Sequence, residues 1–201
     1  VSAKVVASND APGGNVTGTS DLAPIAEQID LLMQLYPNAK TIGTIYSSSE
    51  INSEIQVKAM TEYAQSKGLT VRTATISTVN DIQQAAQSMV NDVDVFYEPT
   101  DNVISSSIPT LVSVTDAAGK AGICAEPYMV TGGCLATYGI DYYKLGVQTG
   151  NMAADIFEGK KPATMPIETA HDLTVVINKK NAEKIGLTIP ADVLNGATIV
   201  E

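Results

Sequence analysis

Short apolar runs rich in β-branched residues alternate along the chain with longer segments whose apolar residues recur at helical spacing. The runs that predict strands are Thr41–Tyr46, Leu69–Ile76, Val93–Tyr97, Ala121–Ala125, Cys134–Tyr138 and Leu173–Asn178. Because parallel strands have to be joined by crossover helices, this alternation is typical of a parallel sheet. The pattern therefore predicts an α/β fold with a parallel sheet and helices on both faces.

The intervening segments predict amphipathic helices with recognisable ends. The clearest candidates are Pro24–Tyr36, the segment between Asn52 and Gly68, the segment after Asn80, the face from Ile104 to Thr115, and Tyr142–Glu158. We expect Asn52 or Ser53 to cap the second helix and Asn80 to cap the third, because short polar side chains satisfy the first backbone N–H groups of a helix. Pro109 should limit or kink the fourth.

Charge and composition narrow the possible functions. The chain has 201 residues, with 12 Lys and Arg against 22 Asp and Glu and a net charge of −10, which fits one or two compact domains. An acidic protein is repelled by phosphate backbones, so nucleic acid and anionic membranes are poor partners. Arg72 and His171 are the sole residues of their types, which excludes multi-histidine metal sites. No signal peptide or membrane-spanning run is recognisable.

The cysteines and the search for catalytic motifs give no evidence for a catalytic, metal or cofactor site. Cys124 and Cys134 are nine residues apart, which allows either a disulfide or two buried thiols, and we favour the thiols. The segment Gly13–Gly18 lacks the spacing of a phosphate-binding loop and is interpreted as a turn. No nucleophile elbow or CxxC pair is present. The sequence therefore predicts no cofactor, no metal and no catalytic residue, and a surface or hinge role for His171.

Polar segments follow three of the predicted strands. They are Ser47–Ser53, Glu98–Asn102 and Glu126–Tyr128. In an open parallel sheet the carboxyl ends of the strands meet at one edge, where such folds bind ligands. The same residue types are also common in turns and helix caps. A ligand-binding site and ordinary turn or cap formation are therefore equal alternatives for these three segments.

Several motifs together resemble the substrate-binding proteins of ABC transporters for tryptophan, tyrosine and phenylalanine. They are Gly13–Gly18 with Ser20-Asp21, Glu50-x-Asn52-Ser53, Pro99–Asn102, Leu135–Tyr143 and Gly186–Pro190, in matching order over essentially the whole chain. The resemblance implies the class I periplasmic-binding fold, in which two α/β lobes hold a ligand between them. It also implies an N-terminally shortened chain, with one complete lobe and a remnant of the other.

The resemblance implies a division of the chain into four parts. Residues 1–36 would be a remnant of the first lobe and the crossover, 37–135 the second lobe, 136–168 a hinge strand and helix of the first lobe, and 169–201 the return to the second lobe. The helix Tyr142–Glu158 would then lack a partner. We therefore expect Leu145, Met152 and Ile156 to repack, dimerise or swap between subunits.

The resemblance also implies a set of ligand contacts. These are Ser49, Glu50, Asn52, Ser53, Asp101, Asn102 and Glu126 on the loops, Thr19, Ser20 and Asp21 near the crossover, and Tyr138. An amino acid needs an acceptor for its ammonium and donors for its carboxylate. Asp101 or Glu126 could accept from the ammonium, and Ser49, Ser53 and helix N–H groups could donate to the carboxylate. Aromatic contact would come from Tyr46, Tyr97, Tyr128 or Tyr138.

The function implied by this resemblance is an extracytoplasmic solute receptor. It would close around a small, aromatic amino acid and present it to an ABC permease, without catalysis. A ligand-sensing domain of a regulator with the same fold is an alternative, although such regulators carry a DNA-binding segment. An α/β enzyme is a further alternative, because a fold alone never excludes catalysis.

Overall fold

The computed structural model describes residues 4–201 of the chain. The strands are β1 Thr19–Ser20, β2 Thr41–Ser47, β3 Thr70–Ile76, β4 Val95–Glu98, β5 Gly122–Cys124, β6 Ala136–Ile140, β7 Glu168–Thr169, β8 Leu173–Asn178 and β9 Thr198–Val200. The helices are α1 Ile25–Leu35, α2 Ile51–Ser66, α3 Ile82–Met89, α4 Asn102–Ser105, α5 Ile108–Ala117, α6 Pro127–Thr131, α7 Tyr142–Phe157, α8 Lys179–Ile185 and α9 Ala191–Leu194.

Seven of the strands form one sheet in the order β3-β2-β4-β5-β6-β8-β9. The pairs β2/β3, β2/β4, β4/β5, β5/β6 and β8/β9 are parallel. Each parallel pair is joined through helical segments, so the ends of β2, β4 and β5 lie at the same edge of the sheet. This arrangement confirms the predicted α/β fold with a parallel sheet.

Two hydrophobic clusters cover the two faces of this sheet. One contains Ile29 and Leu32 of α1 with Met60 of α2, and the other contains Ile82 of α3 and Leu111 of α5. Successive residues of a strand point to opposite faces. In β4, accordingly, Phe96 joins the second cluster and Tyr97 the first. Buried strands with long apolar runs are what a sheet covered on both sides requires.

Most predicted elements are present, but two of the predicted helix caps are wrong. α2 begins at Ile51, so the N-cap is Glu50 rather than Asn52 or Ser53. A 3₁₀ turn precedes α3, and Thr78, not Asn80, caps that turn through a reciprocal bond with Asp81. The kink expected at Pro109 is a break between α4 and α5, with the proline in the first turn of α5, where its missing N–H costs little.

The chain divides into two compact units. The larger comprises residues 23–139 and 174–201, and the smaller comprises residues up to Leu22 together with 140–173. The helix α1 is part of the larger unit, because Ile29 and Leu32 are fully buried in its core, whereas the sequence-based division grouped it with residues 1–36. The assignment of these segments to lobes of a two-lobed protein stays a prediction.

The smaller unit contains α7 and a two-stranded parallel sheet in which β1 pairs with β7. Leu145 and Met152 of α7 are buried and Ile156 is half-buried. Since the apolar stripe of α7 has packing partners within the chain, the expected need for a dimer or a domain swap is not supported. Tyr143 and Phe157 lie on the exposed side of the helix.

Cys124 and Cys134 are both buried free thiols, the alternative that we favoured from the sequence. The thiol of Cys124 donates to the carbonyl oxygens of Glu126 at 3.4 Å and of Ala136 at 3.6 Å. It therefore connects the end of β5 to β6. None of the helices described in residues 4–201 is long and apolar enough to cross a membrane.

Candidate functional site

The loops after β2, β4 and β5 lie at the carboxyl edge of the large sheet, and the candidate site is built from them. Eight of the predicted ligand residues are in the larger unit: Ser49, Glu50, Asn52, Ser53, Asp101, Asn102, Glu126 and Tyr138. Thr19, Ser20 and Asp21 are in the smaller unit, where Thr19 and Ser20 form β1 and the hydroxyls of Thr19 and Thr149 lie 2.6 Å apart.

Asp101 is committed to the protein rather than directed at a ligand. It is 1% exposed, and its carboxylate accepts backbone N–H bonds from Ser47 at 2.7 Å and from Val103 and Ile104 at 3.0 Å. It therefore caps α4 and ties the end of β2 to the loop after β4. Three of the roughly four acceptor positions of a carboxylate are occupied, so Asp101 is a poor acceptor for an ammonium group.

Glu50, in the loop after β2, also accepts hydrogen bonds from the start of α4. Its carboxylate accepts the backbone N–H of Asn102 at 3.0 Å and the side-chain amide of Asn102 at 3.1 Å. The negative charge thus lies at the N-terminal end of α4, where free N–H groups and the helix dipole favour it. Glu50 and Asn102 join the loop after β2 to the loop after β4.

Side chains from the first turns of α2 hold the loop after β4 in place. Asn52 and Ser53 both donate to the carbonyl oxygen of Thr100, at 3.0 and 2.9 Å, and the Gln56 carbonyl accepts from the Thr100 N–H. Asn52 and Ser53 therefore lie within the first turn of α2 and contact another loop instead of capping the helix. Ser53 and Gln56 are buried, whereas Asn52 is exposed. The effect of these bonds is to fix the position of residues 99–101.

Ser49, just before α2, has an exposed hydroxyl group that could contact a ligand. It is exposed, and its hydroxyl lies 2.9 Å from the hydroxyl of Ser47. Ser48 is anchored differently, because its N–H and its hydroxyl both donate to the carbonyl oxygen of Ile76. Ser49 therefore presents a hydroxyl group beside the N-terminus of the 16-residue helix α2.

Glu126 lies in the loop after β5 and is connected to the loop after β4. The residue is 4% exposed, and its carboxylate is hydrogen-bonded with the hydroxyl of Tyr128, which also lies 2.8 Å from the hydroxyl of Ser105 in α4. Burial and the bond with Glu126 raise the pKa of Tyr128 to about 12. The ring of Tyr128 is 48% exposed, which makes it an aromatic surface at this edge.

Sequence reasoning treated Glu98 as part of an acidic loop and did not single it out. It is the last residue of β4 and 1% exposed, and neither carboxyl oxygen has a hydrogen-bond partner within residues 4–201. Burial and the charge of Asp101 raise the pKa of Glu98 well above its ordinary value. Both effects disfavour the ionised form of this carboxyl group. Its position in a fully buried strand is the signal that could have identified it.

Gln28 is a second residue that sequence reasoning missed. It is fully buried on α1, and its side-chain N–H₂ donates to the carbonyl oxygens of Ala125 at 3.0 Å and Tyr138 at 2.9 Å. Its side-chain oxygen accepts from the Tyr97 hydroxyl at 2.7 Å. A glutamine among the apolar positions of α1 is the signal that could have indicated it, because a buried amide has to find partners.

The structure also separates the tyrosines proposed for aromatic contact. Tyr97 is fully buried, so it cannot touch a ligand at the sheet edge, and burial raises its pKa well above the ordinary value. Tyr46 and Tyr138 pack against the core cluster that contains Ile29 and Leu32. Tyr128, in the first turn of α6, is therefore the exposed aromatic side chain of this set.

His171 lies in the smaller unit, and its side chain is 71% exposed. Its ring nitrogen is 3.3 Å from the Gln148 amide and 4.0 Å from the Glu168 carboxylate. These contacts agree with a surface role. Across residues 4–201, no group of three or more potential ligating side chains could hold a metal ion.

An α/β sheet with rigid polar loops at its carboxyl edge defines a class of proteins that hold a small polar molecule at that edge, as periplasmic binding proteins do. The chain belongs to the family of ABC transporter substrate-binding proteins, and the match covers residues 1–201.

Individual relatives extend this assignment. A tyrosine-binding protein of Clostridioides difficile (strain R20291) is 40% identical over 187 residues, which are 93% of this chain and 54% of the relative. The crystal structure of an ABC domain from Streptococcus pneumonia in complex with L-Trp has a TM-score of 0.89 and 42% identity, covering 98% of this chain and 69% of that one. The chain spans about half the length of the curated relatives it matches.

A third relative is a ligand-free, open structure of a substrate-binding protein with adhesive properties from Clostridium difficile. It has a TM-score of 0.84 and 37% identity, and the match covers all of this chain and 67% of that one. With the structure from Streptococcus pneumonia, it confirms the expected fold and family.

Proposed function

We propose that this chain is the ligand-binding part of an extracytoplasmic solute receptor for an ABC importer, and that its ligand is an aromatic amino acid. The observation that carries the proposal is the polar edge of the large sheet, where the loops after β2, β4 and β5 are locked together by Asp101, Glu50 and Tyr128. A preorganised edge of this kind reduces the ordering cost of binding. The ligand class follows the relatives that bind tyrosine or L-Trp.

Glu126 is the proposed acceptor for the ammonium group of the ligand. A cation that leaves water has to meet a charged or strongly polar acceptor, since an unpaired buried charge costs several kcal/mol. Asp101 is already occupied by three N–H groups, and Glu50 is turned towards α4. Glu126 is the remaining acidic group of the set, and its carboxylate is hydrogen-bonded with a neutral hydroxyl, that of Tyr128, at the start of α6.

The ligand carboxylate and side chain are assigned to the neighbouring groups. The hydroxyl of Ser49 and the backbone N–H groups at the start of α2 are donors suited to a carboxylate. The exposed ring of Tyr128 supplies aromatic contact. Asn52, Ser53 and Asn102 act as supports that hold the loops. Thr19, Ser20, Asp21 and Tyr138 remain proposed contacts on grounds of family resemblance.

The proposed ligand can be tested with the ligand's own fluorescence. The chain contains no tryptophan, so the emission of L-Trp reports its environment without background from the protein. We expect saturable binding of L-Trp, competition by L-Tyr and L-Phe, and a matching rise in melting temperature. A thermal shift with a sugar or a nucleotide, in the absence of any shift with these three amino acids, would overturn the ligand assignment.

The role of Glu126 is tested by Glu126→Gln, which keeps the shape of the side chain and removes its charge. We expect affinity for L-Trp to fall by about tenfold or more, since a charged hydrogen bond contributes about 1.5–3 kcal/mol. The matched control is Glu62→Gln, at an exposed position in the C-terminal half of α2, away from the helix start that is proposed to hold the ligand carboxylate. Equal affinities for the two variants would contradict the role of Glu126.

A further inference from the structure

Gln28 uses a single amide group to join β4, β6 and the residue that follows β5 in the large sheet. Its N–H₂ group reaches the carbonyl oxygens that follow β5 and lie within β6, at Ala125 and Tyr138, and its oxygen reaches the hydroxyl of Tyr97 on β4. All three contacts are 3.0 Å or shorter, and the Gln28 side chain is 0% exposed. Such a fully satisfied buried amide specifies one arrangement of the backbone around it.

The two carbonyl groups belong to functionally different parts of the chain. Ala125 directly precedes Glu126, the proposed ammonium acceptor. Tyr138 lies two residues before Ile140, the first residue of the smaller unit after the chain leaves the larger one. One side chain therefore fixes both the proposed ligand loop and the exit of β6 from the larger unit.

Two further contacts connect the same pair of segments. A Cβ atom on Gly139 would lie 2.8 Å from Pro127 Cδ, so the proline ring that follows Glu126 packs directly on the backbone of β6. In addition, the Cys124 thiol donates to the carbonyl oxygens of both Glu126 and Ala136. The segment 124–127 is thus attached to β6 at three separate places.

We infer that Gln28 is a positioning residue that couples the exit strand β6 to the ligand loop carrying Glu126. The inference rests on the proposed function for its effect on affinity, but the coupling itself is independent of the ligand. Displacement of β6 at residues 138–139 must move the Ala125 carbonyl or break a bond to Gln28. Loss of the amide removes one hydrogen bond from the buried Ala125 carbonyl and one from the part-buried Tyr138 carbonyl, which is costly enough to shift the loop.

The test uses Gln28→Met, which keeps the length of the side chain and removes its hydrogen bonds, together with Tyr97→Phe, which removes only the bond from β4. Asn181→Leu is the matched control, because Asn181 is another buried amide of the larger unit, 3% exposed, and its side-chain N–H₂ donates to the carboxylate of Asp116. Hydrogen exchange is measured without ligand over residues 124–128 and 136–140, and L-Trp affinity is measured by fluorescence.

We expect Gln28→Met to accelerate exchange in both segments together by about tenfold or more, and to weaken L-Trp binding by about tenfold, which corresponds to the loss of one or two buried hydrogen bonds. Tyr97→Phe leaves the buried Gln28 oxygen without its donor but keeps both N–H bonds of Gln28, so it should lower global stability while accelerating exchange in these two segments less than Gln28→Met does. Asn181→Leu should leave both segments and the affinity unaffected beyond its effect on global stability.

Faster exchange in one segment alone, or equal acceleration throughout the larger unit, would overturn the coupling. Unchanged affinity of Gln28→Met in a protein whose wild type binds L-Trp would overturn the positioning role. If the wild type binds none of the aromatic amino acids, the proposed function fails, and the exchange data still decide whether Gln28 couples the two segments.

Discussion

Glu98 is a carboxyl group whose properties follow from its surroundings rather than from its residue type. Both of its oxygens lack a hydrogen-bond partner within the described chain, and the carboxylate of Asp101 lies close enough to raise its pKa. Desolvation and a neighbouring negative charge both disfavour the ionised form. The raised pKa reduces the cost of keeping such a group in the core, because the neutral form is easier to bury.

The raised pKa of Glu98 in the native state predicts a specific pH dependence of the free energy of unfolding. Below the ordinary pKa of 4.5 the native and unfolded states both bind the proton, and above it the unfolded state releases the proton first. The free energy of unfolding should therefore fall as pH rises towards the native pKa, by at most about 1.4 kcal/mol per pH unit. Denaturant unfolding between mildly acidic and mildly alkaline pH measures this slope.

Glu98→Gln should remove this contribution, so that the variant gains stability relative to the wild type as pH increases. Glu62→Gln, at an exposed position of α2, is the control and should keep the wild-type slope. Parallel pH profiles for Glu98→Gln and the wild type would show that Glu98 is not the protonated group.

Asp101 stabilises the fold as a hydrogen-bond acceptor, so the fold should be sensitive to a substitution that removes one of its acceptor oxygens. In Asp101→Asn an N–H₂ group replaces one carboxylate oxygen, so at least one of the backbone donors at Ser47, Val103 and Ile104 loses its bond. We expect the free energy of unfolding to fall by about 2–4 kcal/mol. Urea unfolding measures this, with the exposed Asp192→Asn as a control that should stay within about 0.5 kcal/mol of the wild type.

At the scale of elements, the contact between α6 and β6 depends on a glycine. Gly139 lies in the buried strand β6, and an added Cβ would come within 2.8 Å of Pro127 at the start of α6. Gly146 lies on the exposed face of α7, where an added Cβ would meet nothing within 4 Å. The two glycines therefore form a natural pair for one experiment.

We expect Gly139→Ala to lower the free energy of unfolding by about 1–3 kcal/mol through overpacking, and Gly146→Ala to raise it by up to about 1 kcal/mol through helix propensity. Thermal and urea unfolding both report the change. A neutral Gly139→Ala would mean that α6 can shift away from β6 at no cost, which would also weaken the case for coupling between these segments.

The whole molecule has an uneven distribution of buried apolar side chains. The two large core clusters lie in the larger unit, whereas the smaller unit buries few large apolar residues, among them Ile140, Leu145, Met152 and Met165. Regions with few buried contacts open at lower free energy than a central sheet. The structure therefore predicts unequal local stability in the two units.

Native-state hydrogen exchange at low denaturant tests this distribution. We expect the amides of α7 to exchange through an opening that costs less free energy than the one that exposes β2 and β4. Comparable protection of α7 and the central strands would contradict the predicted difference in local stability between the two units. Phe157→Ser, at a side chain that is 91% exposed, is a control that should leave the exchange pattern unchanged.

Sequence patterns were reliable wherever local chemistry decides the outcome. The strand Leu173–Asn178 was predicted with its observed bounds, and α1 and α7 were predicted to within one residue at each end. Caps were less reliable, because α2 begins one residue before Asn52, and the side chains of Asn52 and Ser53 donate to the distant carbonyl oxygen of Thr100. The short helices α6, α8 and α9 were missed, since their segments have too few residues for a periodic pattern.

By itself, the sequence determined the α/β class, the polar character of the loops after three strands and the family to which the chain belongs. These properties depend on periodicity, composition and motif order, which are local. Only the tertiary structure decided which carboxylates are already satisfied, because Asp101 and Glu50 receive their partners from distant segments. It likewise decided that Glu98 is buried without a partner and that Gln28 joins β4, β6 and the residue that follows β5, since burial and long-range hydrogen bonds arise only when the chain folds.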